Sequence, residues 1–400
     1  MSAHPDVFIV SAARTALGSF QGALGSVAAP RLGAAAIAAA VERAQVSPSL
    51  LGELRTEVFM GNVLGAGVGQ APARQTAIYA GLPNSLPATT INKVCGSGLQ
   101  SILLGARAIA AGETDVAVVG GMENMTLAPY LLPGARAGMR LGDQKIVDSL
   151  VHDGLWDPYG SVHMGNCAEL CAREKKFSRE EQDRYAAQSF RRATEAQKSG
   201  KFAAEIAPVM IPGKKGEATA FATDEGPSKA NFEKMPQLKP VFDKAGTVTA
   251  ANASTINDGA AALLLMSEAA VKRSGAIPLA RIVSSGRHAQ APEWFTTAPV
   301  GAMKMASERA GWRMADVDLF EVNEAFAVVA LAAARELEIP EEKLNVWGGA
   351  ISLGHPIGAS GARIVVTLLS ALRDRGARRG MAGICIGGGE GLALAVERIG

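Results

Sequence analysis

The sequence predicts an α/β fold made of two similar halves, with a loop-rich segment inserted into the first. Three observations carry that prediction. β-type and helical runs alternate over residues 7–121 and again from about 277, the rhythm of a mostly parallel sheet covered by helices. Each half opens a long helix on small residues, "CGSG" at 95–98 and "GASG" at 358–361, and follows it with a strand ending in glycines, "VAVVGGMEN" and "GICIGGGEG"; a plan repeated in this way points to a duplicated unit. The composition agrees, because 45 glycines and only 5% aromatic residues suit helices packed closely on sheets.

In order, "DVFIVSAA" reads as a strand and residues 29–46 as a helix with Pro30 in its first turn, where proline is tolerated. "TEVFMGNVL" is a strand, "APARQTAIYAGL" a helix stopping near Gly81, "PATTINKV" a strand, and a helix follows Cys95. The rhythm breaks at Met122 and returns with "NDGAAALLLMS" at 257–267. Inside the break, Ser178 and Glu181 form a capping-box pattern before a helix that Gly200 ends. The division expected is therefore 1–121 with 247–274 as the first half, 122–246 as the insertion, and 275–400 as the second half.

The bulk properties exclude several classes. At 400 residues, 48% hydrophobic and 20% charged, the chain can bury a large core and is not disordered. A net charge of +2 without a long basic run excludes nucleic acid as the expected partner. No apolar stretch is long enough to span a membrane. The four cysteines are scattered, no secretory leader pattern opens the chain, and "VERIG" is no targeting tail, so a reducing, cytoplasmic setting is expected.

Three glycine-flanked stretches hold the reactive side chains. Cys95 in "NKVCGSG" sits between a strand and a helix start; a helix N-terminus favours the thiolate and is expected to lower the thiol pKa. His355 lies between Gly354 and Pro356 in "GGAISLGHPIGASG", and a histidine can activate a thiol nucleophile. Cys385 in "CIGGGEG" could serve as acid or base, and the glycine N–H groups could hold an oxyanion. "VNEAF" adds Asn323, Glu324 and Phe326 at a strand-to-helix turn. Taken singly, each has a plain structural reading: a core cysteine, a turn histidine, a helix cap. Cys167 and Cys171, four apart, read as one buried helix face rather than a metal pair; no metal site is expected.

Together, "NKVCGSG", "GGMENM", "NEAFA", "GGAISLGHPIGASGAR" and "CIGGGEG", in that order, resemble the thiolase family over essentially the whole chain. The resemblance implies a duplicated five-layer αβαβα fold, no cofactor, and acyl transfer between coenzyme A thioesters. It implies that Cys95 takes the acyl group, that His355 activates it, and that Cys385 moves the α-proton. Asn323 would hold a water in one oxyanion hole with His355, and the N–H groups of Cys95 and Gly387 would form the other. "SVHMGNCAE" resembles the pocket loop of short-chain members handling acetyl-CoA and acetoacetyl-CoA, with His163 and Met164 as pocket residues. By the same resemblance, Ser254 and Lys229 would contact coenzyme A, and Phe295 and Phe326 would lie near the acyl pocket. Phe190 stands where some members hold potassium with tyrosine, which counts against that ion here. Trp347 and Glu390 depart from the usual residues beside the catalytic loops. A homotetramer is implied, with "GARAGMRLGDQ" as a candidate assembly loop.

The rival within the family is a longer-chain 3-ketoacyl-CoA thiolase of fatty-acid breakdown, against which His163 and Met164 count. A β-ketoacyl synthase would pair its cysteine with two histidines, and this chain has only His4, His152, His163, His288 and His355. A non-catalytic coenzyme A-binding scaffold would have no need of the Cys–His–Cys set.

Overall fold

The alternating runs settle into a single ladder. The structure, a computed structural model, describes residues 6–213 and 217–399; His4 and the final residue of the 275–400 segment lie outside the described residues. The framework strands are β1 (Val7–Thr15), β2 (Thr56–Gly61), β3 (Ala88–Ile91), β4 (Val116–Asn124), β5 (Asn257–Ser267), β6 (Ala280–Ala289), β7 (Leu319–Val322), β8 (Arg379–Ile386) and β9 (Glu390–Arg398). Their spatial order is β7–β8–β9–β6–β1–β5–β4–β2–β3. The first half contributes β1–β5–β4–β2–β3, the second β6–β9–β8–β7, and β1 joins β6.

The sheet is mixed, which corrects the mostly parallel expectation. β2 runs parallel to β3 and β4, and β7 to β8. The β1–β5, β4–β5, β1–β6, β6–β9 and β8–β9 pairs are antiparallel. The reason is local at β8–β9, where Ile386 pairs with Glu390 across a tight glycine turn; a turn that short can only reverse the chain.

Helices complete five layers. α1 (Ala29–Arg43) and α2 (Pro72–Tyr79) cover one face of the first half, and the later helix Ala298–Ala310 covers the outer face of the second. Between the halves lie α3 (Ser97–Ala110) and the helix Ile357–Asp374, which touch each other and sheet strands on both sides. Every residue from Ile357 to Leu369 is buried, as a helix with sheet or helix on all sides requires.

The segment after Asn124 carries short hairpins and two helices, α4 (Met164–Glu174) and α5 (Arg179–Lys198). Cys167 and Cys171 lie on the buried face of α4 and are unpaired. The capping box at α5 forms, with the Glu181 N–H donating to Ser178 Oγ at 3.1 Å and the Ser178 N–H to Glu181 Oε2 at 2.8 Å. The segment is tied to β1 by Arg14, fully buried and bidentate to Asp224 at 2.8 Å, with Glu205 at 2.6 Å. A buried cation so paired is costly to break from either side.

α6 is Ala298–Ala310, α7 is Ala327–Glu336 and α8 is Ile357–Asp374. α8 packs on the first-half sheet with no side chain between, since a Cβ on Gly121 would stand 2.0 Å from the carbonyl oxygen of Gly358. Gly121→Ala is therefore expected to lower unfolding stability by at least about 2 kcal/mol. Gly65→Ala, where an added Cβ meets nothing within 4 Å, should change it by less than about 0.5 kcal/mol. Urea unfolding of the two variants beside wild type decides it; equal midpoints would show that the helix can shift freely.

Candidate active site

The site is built where α3 and α8 begin side by side. A Cβ on Gly98 would lie 2.7 Å from the Ala362 nitrogen, and one on Gly361 would lie 2.4 Å from that of Leu99. Both helices thus present their N-terminal N–H groups and partial positive charge to one region. Cys95 stands two residues before α3, and His355 two residues before α8.

Each is fixed by its own loop. Val94 holds a left-handed φ of 45°, an unfavourable conformation for a β-branched residue. It is sustained by Ser97, whose Oγ accepts the Lys93 N–H at 2.8 Å and donates to the Val94 carbonyl at 2.6 Å. On the other side, Gly354 has φ 121°, and a Cβ there would strike Asn257 at 2.3 Å. The Asn257 Oδ1 accepts the His355 N–H at 3.1 Å.

The imidazole tautomer follows from its partners. Ser360 Oγ lies 2.6 Å from His355 Nδ1 and gives its own hydrogen to the Pro356 carbonyl at 2.9 Å. With its hydrogen on that carbonyl, Ser360 accepts from Nδ1–H, and Nε2 keeps its lone pair. The Asn323 amide nitrogen stands 3.5 Å from both ring nitrogens, too long for a strong bond.

Burial sets the charges. The Cys95 thiol is pushed up to about 12, chiefly by desolvation, although its own N–H and that of Gly387 reach the sulfur and pull the other way. His355 is pushed down to about 3 by burial and then by the Arg363 cation. Cys385 is held well above the ordinary thiol range by burial and then by Cys95. The lowered Cys95 pKa expected from the helix mouth is thus not what the structure shows: the loss of water outweighs the donors. At rest the pair is a thiol beside a neutral imidazole.

The cavity in front of them holds about 210 Å³ and is lined by Cys95, His355 and Gly387, together with His163, Met164, Phe295 and Phe326. Met164 lies 3.6 Å from where a Gly387 Cβ would be, so it walls the cavity beside the Gly387 turn. Phe326 packs edge-on against Phe242 and Phe295 at 6.2 Å each. His163 caps α4, accepting the Gly165 N–H on Nδ1 at 3.0 Å and stacking on Phe242 at 4.7 Å. A second cavity of about 430 Å³ shares Phe242 and the Ala253–Ile256 segment as a wall; Ser254 faces both, while Lys229 and Phe190 line only the outer one. Asn323 and Cys385 are fully buried and line neither. Among the described residues no group of three or more His, Cys, Asp or Glu could hold a metal.

Two family profiles match, "Thiolase, N-terminal domain" over residues 7–269 and "Thiolase, C-terminal domain" over 276–398. The chain belongs to the thiolase family. It is 55% identical to an acetyl-CoA acetyltransferase of Cupriavidus necator over 394 residues, 98% of this chain and 99% of the relative. It is 51% identical to that of Pseudomonas aeruginosa (98% and 99% covered) and 50% identical to acetyl-CoA acetyltransferase 2 of Arabidopsis thaliana (98% and 97%).

Several residues that shape this thiolase site were not singled out by sequence. Glu123 is buried and accepts the N–H groups of Val63 at 3.0 Å, Leu64 at 3.1 Å and Gly358 at 2.9 Å, and the Asn62 amide at 2.6 Å. It thereby caps α8, and burial pushes its carboxyl up to about 7. Its signal was an acid inside an otherwise apolar strand. Glu324, named without a role, accepts from Tyr185 Oη at 2.8 Å, Ser189 Oγ at 2.7 Å, the Asn345 amide at 3.0 Å and the Ile351 N–H at 3.1 Å. It locks α5 and the 345–351 loop onto the turn that bears Asn323. Ser360 lay inside a quoted motif, five residues past His355.

Because only the thiolate is alkylated, iodoacetamide labelling of Cys95, followed by mass spectrometry, should speed up about tenfold per pH unit from 7 to 9.5. A plateau below pH 8 would show that the helix ends outweigh burial after all.

Proposed function

We propose that this thiolase is an acetyl-CoA C-acetyltransferase. It joins two acetyl-CoA to give acetoacetyl-CoA and coenzyme A, reversibly, through an acetyl-cysteine. The observation that carries the proposal is the meeting of the Cys95 sulfur, the free Nε2 lone pair of His355 and the Gly387 N–H at one 210 Å³ cavity.

The resting neutrality of the pair fits such a reaction. As the thioester carbonyl arrives, the Cys95 proton passes to His355 Nε2 and the sulfur attacks. The carbonyl oxygen becomes an oxyanion, and the N–H groups of Cys95 and Gly387 are the donors placed for it. Coenzyme A leaves as the thiol by taking the Cys385 proton, which leaves Cys385 as the thiolate and His355 protonated. In the second stage Cys385 removes an α-proton from the next acetyl-CoA. The enolate oxygen is held by the Nε2–H of the protonated His355 and a water on Asn323, whose buried Oδ1 has no protein partner; the enolate carbon attacks the acetyl-cysteine, and the Cys95 sulfur leaves and recovers its proton from His355. Splitting the transfer makes each barrier lower. No cofactor enters these steps.

The wall of Met164, Phe295 and Phe326 supports an acyl group of two to four carbons over the longer-chain alternative. The outer cavity, with Ser254 and Lys229, suits coenzyme A. Residues 122–246 then act as the substrate-binding loop domain between halves at 1–121 with 247–274 and 275–400. A homotetramer fits the arm after β4, where Tyr130, Leu141 and Ile146 are 68%, 96% and 67% exposed. No helix is long and apolar enough to cross a membrane; a cytoplasmic setting remains part of this proposal.

Cleavage of acetoacetyl-CoA by free coenzyme A, followed by absorbance beside a 3-ketodecanoyl-CoA control, tests the function. Fast C4 cleavage with little C10 activity is expected, and Cys95→Ala should abolish it. The reverse preference would favour the fatty-acid-oxidation alternative. Ser360→Ala tests the tautomer: kcat should fall at least about tenfold with a changed pH profile and KM within about twofold. Unchanged kcat would remove Ser360 from the mechanism.

A further inference from the structure

The two N–H groups at the Cys95 sulfur come from different halves of the fold. One belongs to the 92–96 loop of the first half, the other to the Gly387–Gly389 turn between β8 and β9. Each loop is bonded within its own half, the first by the Gly96 and Ser97 N–H groups on the Lys93 and Val94 carbonyls at 3.0 Å and the second by the Gln290 N–H on the Gly389 carbonyl at 2.9 Å, and none of these bonds crosses between the halves. The first carries the strained Val94, and the second contains Gly388 and Gly389 at φ 89° and 85°, conformations glycine adopts freely. Across the gap, the loops touch through Ile386, whose Cδ1 would meet a Gly96 Cβ at 2.4 Å. One ion pair spans the same gap, Lys93 Nζ to Glu390 Oε2. Among the described residues the one other polar link between residues 92–97 and 385–391 is the Gly387 N–H at the Cys95 sulfur itself. Glu390 is also the residue that closes the glycine hairpin, opposite Ile386.

We propose that Lys93 and Glu390 are positioning residues, a clamp between the halves that keeps the Gly387 N–H aimed at the Cys95 sulfur and so holds the shared oxyanion site together. The proposal rests on the acetyltransfer mechanism above. Both side chains are partly exposed, at 29% and 38%, so the pair adds little to global stability. Its value is geometric, because donors must be in place before charge develops. Arg107 and Arg287 line the same cleft as the pair and offer Glu390 substitute partners if Lys93 alone is removed. Glu390→Gln is therefore the decisive change.

The test compares wild type, Glu390→Gln, Lys93→Met and the reversed pair Lys93→Glu/Glu390→Lys in acetoacetyl-CoA cleavage, with the rate of Cys95 acetylation read by mass spectrometry. Glu390→Gln should lose about tenfold in kcat and in acetylation rate, with KM within about twofold and the urea midpoint unmoved. The reversed pair should recover to within about threefold of wild type. Should Glu390→Gln not fold, Lys93→Met supplies the same comparison, with a smaller expected loss. An active wild type with Glu390→Gln inside twofold of it, or a reversed pair no better than the single variants, overturns the clamp alone. A wild type that neither turns over nor acetylates Cys95 overturns the mechanism and the clamp with it.

Discussion

α3 and α8 touch backbone to backbone. Gly98, Gly361, Gly121 and Gly358 leave no room for a side chain where these helices meet each other and the sheet. Two buried helices, one from each half, are thereby held at a separation set by peptide groups rather than by adaptable side chains. Their N-termini are forced together, and the loops that enter them must end at the same place. Cys95 and His355 are neighbours for this reason, although 260 positions separate them in the chain. A change that moves α8 moves His355, Ser360 and the Glu123 cap at once.

The close packing that brings the groups together also removes water from them. Cys95 and Cys385 are pushed toward the thiol form and His355 toward the neutral imidazole. A site in that state stores no ion pair. On the proposed mechanism charge first arises as a substrate carbonyl accepts electrons, and the N–H groups of Cys95 and Gly387 are the donors for it. Two helix N-termini, too weak to ionise the thiol against desolvation, remain correctly signed for an oxyanion between them. Glu324 contributes from behind, using four donors to fix the turn bearing Asn323 without itself facing the cavity.

What was legible in the sequence was local. β5 occupies residues 257–267 as its apolar run implied, and Ser178 with Glu181 forms the box its spacing implied. Cys95 and His355 stood out because glycines flanked reactive side chains at helix starts. What stayed hidden depends on tertiary context. A strand buried on both faces reads alike whether its neighbour runs parallel or antiparallel, so β5 and β9 could not announce their direction. The Cys95 pKa is set by how much of the molecule closes over it, which no nine-residue window contains. Tyr185 and Ser189 meet Glu324 from 139 and 135 positions away, a separation that leaves no spacing to read.

The duplication explains why the site sits on the seam. The two halves share one plan, yet their chemistry is divided. On the proposed mechanism the first supplies the nucleophile and one N–H, and the second supplies the base, the second cysteine and the other N–H. Neither half has a complete set, so acyl transfer requires the halves in register to within a fraction of an ångström. Glycine contacts along the helix pair provide that register in the interior, where no side chain can drift. At the rim, the glycines at 387–389 that admit the N–H to the sulfur also remove the side chains that would hold the turn. The Gln290 N–H holds the Gly389 carbonyl from within the second half, and Glu390, the next residue along, is the one that reaches Lys93 in the first.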